Sequence, residues 1–169
     1  MKKVGFILAL LTIVACEQDK IGYVDNVAIM EDYQEKKDIE AVYTKKSEAF
    51  NKKRDSISQA FQLQAQAFQL RAQKMPQEKA QEEMALLQQQ GQYMGQQLQQ
   101  EEQALQVEVQ TEMDSLLSRV KRHIENYGKA NGYTYILGGG DGAGVLYGDD
   151  TKNITDAVLK ELNAKYNKK

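Results

Sequence analysis

Apolar positions along the chain change their spacing several times, and each change marks an element. Val4 to Leu11 form an unbroken apolar run behind Lys2 and Lys3. Ile21-Gly22-Tyr23-Val24-Asp25 reads as a strand, with Ile21, Tyr23 and Asp25 on one face and Gly22 and Val24 on the other. Asp25 or Asn26 can cap a following helix, because a short polar side chain accepts from a free backbone N–H. Val27, Ile29, Met30 and Tyr33 then have the spacing of a short amphipathic helix.

From about Gln34 to Asn131 the residues are almost all helix formers, rich in Gln, Glu, Lys and Ala, with one interruption at Met75-Pro76. Proline lacks an N–H and disfavours helix in the residue before it, so Pro76 ends one helix and suits the start of another. This predicts a helical hairpin with its tip near residues 74–77, each arm roughly 60 Å or more at 1.5 Å per residue. Phe50, Ile57, Phe61 and Phe68 on the outgoing helix, and Met84, Leu87, Gly91, Met94 and Leu98 on the returning one, are spaced by threes, fours and sevens. These are coiled-coil steps, and Leu105, Val109, Leu116, Val120, Ile124 and Tyr127 continue one face. Glu101 and Gln64 fall where apolar residues are due. Gly91 and Gly95 each cost about 1 kcal/mol relative to Ala in a helix interior and mark a soft point, read as drift or as a hinge.

Asn131-Gly132 is a natural helix stop. Beyond it, Tyr133–Leu137 reads as a strand, Gly138–Gly144 as a flexible loop and Val145-Leu146-Tyr147 as a second strand, so the pair is expected to form a β-hairpin. A last helix begins around Asn153–Asp156, with Thr155 the expected cap and Val158, Leu159 and Leu162 on one face. The glycine loop lacks the Lys and Ser/Thr of a phosphate cradle and leads into no helix.

Composition narrows the function. A basic start, a short apolar stretch and small residues have the order of a secretory signal over residues 1–15. The run is too short to span a bilayer, which needs ~20 apolar residues. Ile13-Val14-Ala15-Cys16 resembles a bacterial lipobox, which implies a lipidated Cys16 and a polar tether over 16–20. With one cysteine there is no internal disulfide and no paired-thiol redox or zinc site. Loss of Lys2 and Lys3 with the leader leaves 20 basic against 24 acidic residues, a net charge near −4 that disfavours nucleic acid. His123, the only histidine, reads as a surface residue among Arg119, Lys121 and Arg122. Asp141, Asp149 and Asp150 lack the spacing of a calcium loop. No catalytic set, metal site or cofactor motif is evident.

Three segments carry a family resemblance. Residues 21–25 resemble the opening strand of the OmpH/Skp periplasmic chaperones. Residues 128–137 resemble their helix-to-strand junction. Residues 145–148 with 153–163 resemble their closing strand and helix. The resemblance implies an α+β fold: a long antiparallel coiled-coil hairpin (residues 34–127) projecting from a small β body (21–33 and 128–169) that trimerises into a barrel. It further implies an ATP-independent holdase for unfolded outer-membrane proteins. Tyr23, Val24, Tyr135, Ile136 and Leu146 would contribute to the trimer body. Phe50, Ile57, Phe61, Phe68, Met84, Leu87, Met94 and Leu98 would line the client-binding arms. The expected place is the envelope of a Gram-negative bacterium, lipid-anchored at the outer membrane and facing the periplasm. The chain departs from the family pattern in its mild acidity, its longer glycine loop and a tip where Gln outnumbers Arg71, Lys74 and Lys79. An alternative is an interaction lipoprotein that uses the coiled coil as a spacer.

Overall fold

A computed structural model describes residues 19–168; the predicted signal segment and Cys16 lie outside the described residues. The elements are β1 (Ile21–Asp25), α1 (Asn26–Asp32), α2 (Gln34–Ala72), α3 (Gln77–Ala130), β2 (Tyr135–Gly139) and α4 (Thr155–Tyr166), with a 3₁₀ turn at Asp150–Lys152. The arm is the connection between β1 and β2. Because α3 returns the chain to its starting level, the two strands run parallel, Ile21 opposite Tyr135 and Asp25 opposite Gly139.

Local chemistry sets most boundaries. The Asp25 carboxylate accepts from the N–H groups of Val27 and Ala28 and starts α1. Pro76 sits at the head of α3, and the tip spans Gln73 to Pro76. At the far end Gly132 adopts φ +69°, and the Tyr133 N–H reaches back to the Gly128 carbonyl at 2.9 Å, which terminates α3 as the Asn-Gly pair predicts.

The core is small and lies where the arm meets the sheet. Val24, Ile29, Tyr33, Leu116, Val120, Ile154, Val158 and Leu162 are buried together, so the last turns of α3 belong to it. Helix α4 ties the pieces: the Asn163 carboxamide accepts from the Gln34 N–H at the head of α2, and the Thr155 hydroxyl accepts from the Asp25 N–H. Thr155 is thus the first residue of α4 and not its cap; the Asn153 side chain accepts from both its N–H and its hydroxyl.

The expected β-hairpin does not form. Strand β2 extends through Gly138 and Gly139, and its partner is β1. Residues 145–147 form no strand; they contribute one backbone bond, Val145 N–H to the Gly138 carbonyl, while Leu146 is 99% and Tyr147 88% exposed. Gly148 packs its backbone against the Tyr23 ring, closely enough that a Cβ would fall 2.5 Å from it. A single bond does not make a ladder.

The arm holds by an apolar seam with polar insertions. Glu101 and Gln64, the two gaps in the apolar pattern, are bonded across the helices: Lys53 to Glu101 at 2.5 Å and Gln64 to Gln90 at 3.1 Å. Gly91 lies under the Phe61 ring, where a Cβ would fall 2.8 Å from the ring edge, whereas nothing lies within 4 Å of the same position on Gly95. The two glycines therefore separate by experiment. Gly95→Ala is expected to stabilise the arm by about 0.5–1 kcal/mol from helix propensity alone. Gly91→Ala gains less or loses, because Phe61 must shift. Urea unfolding followed at the helical circular-dichroism band would order the two.

Candidate functional site

The arm is the most extended feature of the chain. Helices of 39 and 54 residues correspond to about 60 and about 80 Å. Of the residues expected to line client-binding arms, Phe50, Phe68 and Leu87 are buried in the seam. Ile57, Phe61, Met94 and Leu98 are half-buried along it, and Met84 is exposed. The seam residues are therefore committed first to joining α2 and α3. Cross-helix ion pairs flank them: Lys46–Glu108, Lys53–Glu101 and Arg71–Glu83.

The residues expected in a trimer body divide in the same way. Val24 is fully committed to the chain's own core, and Tyr23 and Ile136 are half-buried. Tyr135 and Leu146 are exposed, as are Ile21, Leu137 and Tyr147 of the expected strands. Ile21, Tyr135 and Leu137 lie on a two-stranded sheet, whose alternation turns these side chains outward.

Where the arm enters the body, buried and partly buried polar groups brace the helices. The Tyr33 hydroxyl donates to Glu35. Arg119 bridges Glu35 at 3.3 Å and Glu112 at 3.0 Å, with its Nε buried and unbonded. Burial, and then the Glu35 carboxylate, raise the Tyr33 phenol well above its usual range. The Tyr166 hydroxyl donates to Asp38 at 2.8 Å and holds that carboxyl below its usual range.

His123 is not a surface residue. It is buried between α3 and α4, and its Nδ1 lies 3.2 Å from the Lys165 ammonium. Lys165 can only donate, so Nδ1 accepts and the ring proton sits on Nε2. That nitrogen is buried without a bonded partner, 3.9 Å from Glu161. The spacing Leu116, Val120, His123, Tyr127 was the available signal; the basic neighbours obscured it. The remaining candidate, the aspartate-rich turn, is occupied locally: Asp149 accepts from the Thr151 N–H and hydroxyl.

Among the described residues no cluster of metal-binding side chains occurs, and no helix is long and apolar enough to cross a membrane. What the molecule presents is surface: a long paired-helix arm on a small sheet body, an α+β architecture. Residues 20–162 match the model of the OmpH-like outer membrane protein family, and the chain belongs to that family. A solved structure, that of a candidate outer membrane chaperone (OmpH-like) from Caulobacter crescentus CB15, superposes with a TM-score of 0.77. The match covers 87% of this chain and 85% of that one at 16% identity, a likeness of fold. No curated protein matches the chain.

The histidine gives a pH prediction. Burial first, and then the Lys165 ammonium, lower its pKa from the ordinary 6.5. In the window between the folded and unfolded values the unfolded chain binds the proton better, so this contribution to stability is whole above 6.5 and is lost as pH falls through the folded value. Urea midpoints at about pH 7.5 and about pH 5.5 should show a larger acid loss for the native protein than for His123→Leu. Equal losses would exclude His123 as a source.

Proposed function

We propose that the protein is an ATP-independent holdase chaperone of the Gram-negative envelope. It binds unfolded outer-membrane proteins with the arms of a homotrimer. The observation that carries this reading is the division of the chain into a long arm with little packed volume and a small sheet body with exposed apolar side chains. Two strands are too few for an independently stable sheet. The outer edge of β2 and the side chains of Tyr135, Leu137, Leu146 and Tyr147 suit closure with strands from sister chains, which also removes an aggregation-prone edge. Three arms projecting from one body would surround a client. A holdase needs no nucleotide, since preferential binding of the unfolded chain shifts its folding equilibrium by mass action.

The test separates body from arm. Deleting residues 58–71 and 83–96 removes whole heptads from both helices and keeps the Lys46–Glu108 and Lys53–Glu101 pairs in phase. Light scattering should report three chains for the native and the shortened protein alike. Suppression of aggregation of a urea-diluted outer-membrane β-barrel protein should be strong for the first and collapse for the second. Equal protection by the shortened trimer would favour the spacer reading, in which the arm docks one folded partner.

The lipobox-like tetrad supports attachment through lipid on Cys16, with the outer membrane as its site and the periplasm as the facing compartment. Two or more acyl chains give stable anchoring at roughly 0.8 kcal/mol per buried CH₂. Cys16→Ser is expected to move the protein from the membrane fraction to the soluble fraction or to block its maturation. Normal processing with unchanged membrane association would refute the anchor.

A further inference from the structure

The seam accounts for only part of the apolar content of the arm. Val42, Leu63 and Leu70 on α2, and Leu86, Tyr93 and Val107 on α3, are between 51% and 71% exposed. Their spacing is regular: sevens and multiples of seven separate the members on each helix. Each lies just before the same heptad position, as Leu63 precedes Gln64, Leu86 precedes Leu87 and Tyr93 precedes Met94, while Leu70 and Val107 precede the paired Arg71 and Glu108. Each set is therefore one heptad position, repeated along one side of its helix.

Both sets lie on the same broad face of the hairpin. In an antiparallel pair, equivalent flanks of the two helices fall on the same side. Here that side is marked by the cross-helix bonds, which engage Lys46 and Lys53 of α2 and Glu83 and Gln90 of α3. Lys46 and Gln90 each stand one turn beyond a stripe residue, Val42 and Leu86. Leu86 shares a shallow groove with Phe68, Arg71 and Gln90, and Tyr93 shares one with Lys53, Ile57 and Leu98. The register brings Leu70 level with Leu86 and Leu63 level with Tyr93, each to within ~3 Å along the axis. The opposite face is different in kind: Gln62, Gln69, Gln88, Gln92, Gln99 and Gln106 pave it.

We infer that the stripe face is the client-contacting side of the arm, and that it takes apolar, uncharged side chains of an extended, unfolded polypeptide. This rests on the holdase reading and gives it a surface. Two observations select the occupant. First, the cations Lys46, Lys53 and Arg71 on this flank are each paired with a carboxylate of the other helix, so the stretch around Leu63, Leu70, Leu86 and Tyr93 offers apolar contact with little net charge, Lys79 lying beyond it toward the tip. Second, the stripes are too sparse for a folded partner or a second arm. Six part-exposed side chains present a few hundred Å² of apolar area at most, against about 800 Å² per partner in a stable interface. One apolar residue in seven per helix also cannot form a coiled-coil seam, which needs two. Rungs about 10 Å apart along the axis do not match the ~6.7 Å repeat of an extended chain. The client is then held in no single register, by contacts that form and break independently.

The experiment uses the full mature chain with a photo-crosslinking residue placed singly at Leu63, Leu70 or Tyr93, or at Gln62, Gln92 or Gln99 on the other face. The probe is a urea-unfolded outer-membrane β-barrel protein, diluted into buffer. Crosslinks to the client from the stripe positions and few from the glutamine positions are expected. The combined variant Leu63→Ser, Leu70→Ser, Leu86→Ser, Tyr93→Ser should keep its helical signal and lose about tenfold or more in client affinity. Serine at Gln62, Gln69, Gln92 and Gln99 should change affinity little. Client crosslinks mainly from the glutamine face, or subunit-to-subunit crosslinks from the stripe, would overturn the assignment while aggregation suppression by the native protein persists. Absence of suppression by the native protein would remove the holdase reading, and this assignment with it.

Discussion

The antiparallel register of α2 and α3 is the constraint on which the arm depends. Seven residues outward from Lys46 is Lys53, and seven back from Glu108 is Glu101. The same step relates Gln64 and Arg71 to Gln90 and Glu83. Four polar pairs thus agree on one register along the length of the hairpin. Exposed pairs of this kind contribute little stability singly, and their value is in selection. A slipped alignment would leave carboxylates and ammonium groups without counterparts and move Gly91 away from the Phe61 ring. The seam is thin in apolar area, so this discrimination matters more than it would in a leucine-rich coiled coil.

At the other end, stability is concentrated where five elements meet. Val24, Ile29, Leu116, Val158 and Leu162 supply the apolar burial. Side-chain-to-backbone bonds from Thr155 and Asn163 fix β1 and the head of α2 against α4. Arg119 between Glu35 and Glu112, and His123 beside Lys165, place polar groups where α3 enters the body. A lever of roughly 50 Å needs a rigid root, and directional bonds limit its rotation in a way that a purely apolar contact does not.

Much of this was legible because it depends on chemistry within a few residues. The missing N–H of Pro76 sets the tip, the Asp25 carboxylate opens α1, and glycine's freedom at φ +69° ends α3 at Gly132. The seam could be read from spacing, since the heptad is a local rule. The parts that escaped depend on distant segments. Whether Val145–Tyr147 is a strand depends on a ladder with a distant segment, and within this chain it makes a single backbone bond to β2. Glu101 and Gln64 look like defects until Lys53 and Gln90 are placed opposite them. His123 sits among cations in sequence, yet its helical phase turns it inward, and only α4 covers it. The stripe residues were visible as Leu and Tyr in a Gln-rich tract, but their separation from the seam requires the hairpin register.

The parallel pairing of β1 with β2 has a consequence in time. Arg71 and Glu83 are separated by twelve residues, whereas Asp25 and Thr155 are separated by 130. Loop-closure entropy favours short-range contacts first. The arm can therefore zip from its tip while β1 still waits for a strand more than a hundred residues away. A growing chain would expose that strand edge until α4 had emerged. The body therefore closes only after β2 and α4 have been synthesised.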